Sequence, residues 1–170
     1  MTSTLSSSAG HKPAFQPSEV SRATLQGDAR AEAVRRLISP RSVAIIGASA
    51  DFTKVNGRPL KHLLEKGYRG RILPVNPKYS EIAGVPGHAS IEALPEPADL
   101  AVVALPAEQV RDCVERLGRK GIRAAVIFSS GFGEMGEAGK ALEQRLVHSA
   151  REAGVILLGP NCLGFIIAFE

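Results

Sequence analysis

The chain has 170 residues, 44% of them hydrophobic, with 17 glycines, 11 prolines, no tryptophan and a formal net charge of +4. That suits one soluble α/β domain with many tight turns, long enough to bury a sizeable core. Two distant cysteines make no disulfide framework or metal cluster, no stretch approaches a membrane span of about 20 apolar residues, and the basic residues from Arg30 to Arg71 lack the aromatic interleaving of a nucleic-acid surface.

Residues 1–27 are Ser/Thr-rich and lack the basic start and apolar core of a secretory signal. They are expected to be a disordered lead-in to a cytoplasmic domain at 28–166. Asp28 is the candidate N-cap of a helix whose Ala33, Val34, Leu37 and Ile38 share a face, and Pro40 ends it. "SVAIIGAS" (42–49) is a short β-branched run without polar alternation, the mark of a strand buried on both faces. "GRPLKHLLEKG" (57–67) is an amphipathic helix stopped by Gly67. "RILPVNP" (71–77) is the second strand, and residues 78–98 form an irregular connection with a short extra strand near Ile82–Val85.

"DLAVVALP" (99–106) is the next strand, followed by a helix at 107–121 with Val110, Cys113, Val114 and Leu117 facing inward. Another strand at 123–132 runs into a loop; a helix from about Glu137 to Ala153 and a last strand at 155–162 complete the series. About five strands alternating with helices predict a single doubly wound domain on a parallel sheet with right-handed crossovers.

Ligands of such sheets bind at the carboxyl ends of the strands. The first loop, "GASADFTKVNG", carries glycine into a helix N-terminus, where free N–H groups and the dipole favour phosphate. Arg58, in the first helical turn, could touch phosphate or solvent equally well. A dinucleotide enzyme that uses NAD ordinarily ends its second strand in Asp or Glu, which accepts from the ribose hydroxyls. Here that place holds Asn76, Pro77 and Lys78. A neutral and a cationic side chain call for a phosphate on the ribose, which NADP and coenzyme A (CoA) both supply. Three further loops line the same edge: Leu105 and Pro106; Ser129, Ser130 and Gly131; and Asn161 with Cys162.

"RRLISPRSVAIIGAS", "RILPVNPKYSEIAGVP", "ADLAVVALPAEQV", "AAVIFSSGFGE" and "GVILLGPNCLGF", in this order and spacing, resemble the CoA-binding domain of the NDP-forming acyl-CoA synthetases. These are the ADP-forming acetate–CoA ligases, related to the α subunit of succinyl-CoA synthetase. The resemblance covers residues 32–166 and implies a Rossmann-like domain whose ligand is CoA or an acyl-CoA. It implies that Gly47, Ala48 and Ser49 through Lys54, Asn56 and Gly57 wrap the phosphates, and that Lys78 pairs with one of them. Leu105 and Pro106, with Ser129, Ser130 and Gly131, would flank the adenine and pantetheine, and "GPNCLG" would sit near the thioester.

The family's phosphate-carrying histidine belongs to the next domain; His11, His62, His88 and His148 all precede the last block, and none matches it. No catalytic residue, no metal site and no nucleotide-grasping domain is therefore expected within these 170 residues. Ligase domains, or an acetyltransferase domain that modifies protein lysines, are the expected partners in cis or in trans. Pairing of isolated copies through an exposed apolar face stays open, as does an NADP-dependent oxidoreductase. Cys162 before a helix is a candidate reactive thiol, though a packed or hydrogen-bonded cysteine is the simpler reading. After "GPNCLGF" the chain reads "IIAFE", so residues 167–170 are expected to be a truncated or divergent tail of a fragment.

Overall fold

The computed structural model describes residues 19–163, with side chains from Gly27 onward. Helix α1 (Glu19–Ile38) leads into β1 (Ser42–Ile46), α2 (Arg58–Glu65) and β2 (Arg71–Val75). A hairpin of β3 (Glu81–Ile82) and β4 (Val85–Pro86) follows, then β5 (Leu100–Val103), α3 (Ala107–Lys120) and β6 (Ala124–Ile127). A 3-10 turn at Gly133–Met135, α4 (Glu137–Ala153) and β7 (Ile156–Leu158) complete the order. Among the described residues no helix is long and apolar enough to cross a membrane.

The main sheet has five strands in the order β2-β1-β5-β6-β7, every adjacent pair parallel. Its two faces bury alternate residues of the same strands, as the two-residue period of a strand requires. Ala44, Ile46, Ala101, Val103, Ala125 and Ile127 meet α3 and α4 through Val110, Cys113, Val114, Leu117, Leu146 and Ala150. Val43, Ile45, Leu100, Val102, Ala124 and Val126 meet Leu60 of α2, with Leu37 of α1 and Leu63 packed against them. Strand order runs one way from β1 to β2 and the other way from β5 to β7, so the switch point lies between β1 and β5.

The helices at 107–121 and 137–153 stand where periodicity puts them. The first helix differs: it begins at Glu19, so Asp28 is an interior residue rather than a cap, and residues 19–27 are helical instead of an unstructured lead-in. Residues 1–18 and the expected tail at 167–170 lie outside the described residues. The expected single strand near Ile82–Val85 is a hairpin, because Ala83 and Gly84 both take positive φ (52° and 80°) and reverse the chain in two residues. The strands are also shorter than their apolar runs; Gly47, Leu105 and Phe128 already belong to loops.

Two ties fix the frame. At the amino end of the sheet Asp99 is buried and accepts from the Arg41 N–H at 2.9 Å, while its own N–H donates to the buried Ser42 hydroxyl at 3.0 Å. Arg41 and Arg36 lie 3.5 and 3.9 Å from its carboxylate and offset the cost of burying it. On the α3 face Arg116 donates twice to Glu92, at 2.8 and 2.6 Å, and Lys120 donates to the Glu92 carbonyl at 3.0 Å. Together they clamp the connection after the hairpin onto α3.

Asp99→Ala removes a buried acceptor from a main-chain N–H and should cost about 1–3 kcal/mol in chemical denaturation; an unchanged midpoint would show that the tie contributes nothing. The Arg116 hydrogen bonds hold the Glu92 carboxyl at about 2, below its ordinary 4.5. Because the folded value is the lower one, the stabilisation is complete above about pH 4.5 and is lost as pH falls towards 2. The stability gap between the wild type and Glu92→Gln should accordingly be present at pH 7 and shrink at pH 3.

Candidate functional site

The carboxyl edge is assembled from five loops, and the first depends on a glycine. Gly47 sits at φ 85°, and a Cβ there would lie 2.7 Å from the Ala104 carbonyl oxygen and 2.9 Å from Leu105 Cδ2. Only glycine lets the β1 and β5 loops approach this closely across the switch point. Its N–H donates to the Val75 carbonyl at 2.9 Å, and its carbonyl accepts from Asn56 Nδ2 at 2.9 Å. The Ser49 N–H reaches the Asn56 carbonyl at 3.3 Å, so Asn56 closes the loop on itself.

Inside that loop Asp51 accepts from the Thr53 hydroxyl at 2.6 Å and the Thr53 N–H at 3.1 Å. Those bonds, led by the hydroxyl, hold the Asp51 carboxyl below the usual carboxylate range. Lys54 lies 3.5 Å from the same carboxylate, but both side chains are exposed, so the pair is weak and exchangeable. Gly57 packs against Asp51, whose carbonyl oxygen would be 2.2 Å from a Cβ. α2 then starts with no side-chain cap, a proline in its first turn and no acidic residue there. Its positive end faces no carboxylate of its own helix.

Asn76 binds the second loop to the first. Its Nδ2 donates to the Ala48 carbonyl at 2.8 Å, and its Oδ1 accepts from the Lys78 N–H at 3.0 Å. The Asn76 N–H goes to the His88 carbonyl at 2.9 Å. Lys78, exposed, is therefore fixed on the edge that carries the Gly47 turn. The two asparagines shape the main chain, a role their position in sequence does not separate from ligand contact.

Pro106 is the residue before α3, without a side-chain cap. Past β6, the Ser129 carbonyl accepts from the Asn161 N–H at 3.0 Å and the Ile127 carbonyl from the Cys162 N–H at 3.2 Å, fastening the last loop to the edge. The Ser129 hydroxyl is buried and, among the described residues, has no hydrogen-bond partner. Ser130 is exposed. The Gly131 N–H is already donated to the Glu134 carboxylate at 2.6 Å, which holds that carboxyl below its usual range. The amide of Gly131, a residue expected to flank the ligand, is thus occupied by the protein itself. Cys162 is half-buried, and Cys113 is buried under α3 with its thiol pushed up to about 12, a packed and unreactive residue.

Gly47, Asn76, Pro77 and Leu105 share one cleft of ≈ 580 Å³ at the switch point. Ala89, Ser90 and Ile91 form its second wall, and Glu108, Gln109, Asp112, Cys113 and Arg116 of α3 its third. Arg58 lines a separate groove of ≈ 520 Å³ with Phe52, Thr53, Lys61 and His62. Sequence reading valued α3 only for its inward face and missed Glu108, Asp112 and Arg116. Their i, i+4 spacing, which puts them on one side of the helix, is the signal that was there to find.

The edge thus joins a glycine turn whose loop leads into a helix N-terminus, a lysine where an NAD enzyme carries an acid, and a cleft with apolar walls and a charged rim. A family described as CoA binding domain matches residues 41–168. The chain belongs to that family. Coenzyme A is the ligand of this CoA-binding domain. It is 44% identical to the α subunit of ADP-forming acetate–CoA ligase I of Pyrococcus furiosus over 135 residues, 76% of this chain and 29% of the relative. It is 41% identical to a trans-feruloyl-CoA synthase of an unknown prokaryotic organism over 131 residues, 77% of this chain and 18% of the relative. The apo structure of acetyl-coenzyme A synthetase 1 from Ca. Korarchaeum cryptofilum superimposes with TM-score 0.71 and 34% identity, over 75% of this chain and 28% of that one. The chain therefore spans less than a third of the length of each of these relatives.

The CoA-binding domain should tolerate no side chain at residue 47. Gly47→Ala forces a left-handed backbone on alanine and meets the Ala104 carbonyl, and should cost about 2 kcal/mol or more. Thermal unfolding measures this; a variant as stable as the wild type would show that the two loops do not press together.

Proposed function

We propose that this domain is the CoA-gripping part of an ADP-forming acyl–CoA ligase, and that it binds and orients CoA while the chemistry proceeds on other domains. The Gly47–Gly57 loop and the start of α2 take the phosphates, Lys54 exchanging Asp51 for the ligand. Lys78 takes the 3′-phosphate of the ribose. The base and the pantetheine arm lie past Leu105 and Pro106, and the arm runs by Ser129–Gly131 towards Asn161 and Cys162. The observation that supports this reading is the pair of Asn76 hydrogen bonds, which ties the main chain of Lys78 to the Gly47 loop. The domain has comparable identity to an acetate ligase and a feruloyl-CoA synthase, which supports a module that holds the thiol carrier and leaves the choice of acid to its partners.

Calorimetric titration with CoA, dephospho-CoA and NADPH tests the proposal. CoA should bind about fivefold more tightly than dephospho-CoA, the worth of one exposed charge pair of about 1 kcal/mol. Lys78→Ala should abolish that difference without changing the fold. Preference for NADPH over CoA, or no binding of CoA by the folded protein, would refute it.

A further inference from the structure

Helix α1 is apolar on two sides. Ala33 is buried and Leu37 packs against the sheet, whereas Ala31, Val34 and Ile38 are exposed, the last two by 40% and 46%. At 3.6 residues per turn these three stand within about 60° of one another, on a face that the sheet does not cover. Their spacing of three and four is that of the seam between two packed helices. A lone exposed aliphatic residue is ordinary, but a second seam on a helix already packed along its first does nothing for this fold.

Arginines border that seam. Arg30 and Arg35 flank it, one on each side, at the positions that set partner choice between paired helices. Arg35 meets Glu32 at 3.4 Å, an exposed pair that exchanges easily. Past Ile38 the seam opens into a groove of ≈ 430 Å³ that Arg36, Arg41 and Asp99 also line. Asp99 is buried there and serves the Arg41 N–H, while the Arg41 side chain is 90% exposed. The exposed acid on the Arg35 side, Asp28, stands two turns earlier, beyond Ala31.

We infer that this face docks one acidic amphipathic helix of a protein domain outside this chain, with apolar residues on Val34 and Ile38 and carboxylates against Arg30, Arg35 and Arg41. A second copy fits badly, because two such faces would set arginine against arginine whichever way the helices ran. An anionic bilayer calls for bulky anchors such as Trp, Phe or Leu, and the seam has two β-branched residues and an alanine. Relatives extend well beyond the part that this chain matches, so further protein is there to supply the helix. The end of α1 leads into the start of β1, at the amino end of the sheet, so a helix docked there leaves the carboxyl edge uncovered. The inference is independent of the CoA reading.

Two three-heptad synthetic peptides serve as probes, both with Leu at the seam positions and one with Glu, the other with Lys, at the flanking ones. Each is titrated into the isotope-labelled chain while amide shifts are followed by NMR. The Glu peptide should move amides of residues 31–41 and bind at least about fivefold more tightly than the Lys peptide. The double variant Val34→Ser, Ile38→Ser should lose that binding with thermal unfolding unchanged, since both side chains are exposed. Arg30→Glu with Arg35→Glu should turn the preference towards the Lys peptide. Equal binding of the two peptides, shifts confined to other surfaces, or no binding by the folded protein overturns the inference. So does a dimer of the chain that the serine variant dissolves, which would make a second copy the occupant. Binding to phosphatidylserine vesicles that the serine variant loses overturns it in favour of a membrane.

Discussion

One side-chain amide joins the two halves of the edge. Asn76 donates to the Ala48 carbonyl and accepts from the Lys78 N–H, at 2.8 and 3.0 Å. Both groups belong to main chain that has left its strand, so the Asn76 side chain supplies the hydrogen bonds that a ladder would otherwise give there, beside the main-chain bond from the Gly47 N–H to the Val75 carbonyl. An aspartate could accept from Lys78 but would have no hydrogen to give Ala48, and its charge would oppose a phosphate on the ribose. An amide meets both requirements. The residue that stands where an NAD enzyme ordinarily carries an acid is the same residue that ties the two loops together.

Around that bond the edge separates charges. Cations collect at the phosphate loop, acids on the α3 rim of the cleft, and the carboxylates nearest the loops each have local work. Asp51 caps the turn at Thr53, Glu134 satisfies the Gly131 amide, and Glu92 clamps the connection through Arg116. Their negative charges are thereby held by donors of the protein, which limits how far they oppose an incoming anion. The Ser129 hydroxyl is the exception, a buried polar atom at the junction of the last two loops that has no partner among the described residues. Such an atom costs stability unless something meets it.

Much of this was legible in the sequence. The apolar runs at 43–46, 100–103 and 124–127 announce strands covered on both faces, and Gly47, Lys78 and the "GPNC" loop announce the edge. What failed to show has physical causes. Ala83 at positive φ disguises a two-residue turn, because alanine gives no turn signal. A helix that runs through Gly27 and past Asp28 has two residues that ordinarily mark a boundary. Within the site, the composition of a loop does not say whether an amide side chain faces a ligand or its own backbone, so Asn56 and Asn76 read alike as binders. Nor does a sequence reveal that the Gly131 N–H is taken by a carboxylate three residues away. The acids of α3 were masked for a different reason: on an amphipathic helix an exposed charge is the default, and only the fold shows which exposed charges overlook a cleft.

The construction also explains what kind of selectivity this domain is able to have. On the proposed reading, the edge would offer the nucleotide end of CoA main-chain amides and exposed cations, Lys54, Arg58 and Lys78 among them. Each is weak when exposed, on the order of a kcal/mol or less, so discrimination must come from several acting on parts held rigidly to one another. A ribose bearing a base and a phosphate is such a rigid unit, and Pro77 followed by Lys78 is its counterpart in the protein. The pantetheine arm is flexible and presents few groups to read, and the loops that would receive it, Ser129–Gly131 and Asn161–Cys162, are joined to each other through main-chain bonds at 3.0 and 3.2 Å. On the proposed reading recognition would therefore be concentrated at the end of the ligand that is the same in every acyl-CoA, and the variable end would be left to whatever faces the open side of the sheet.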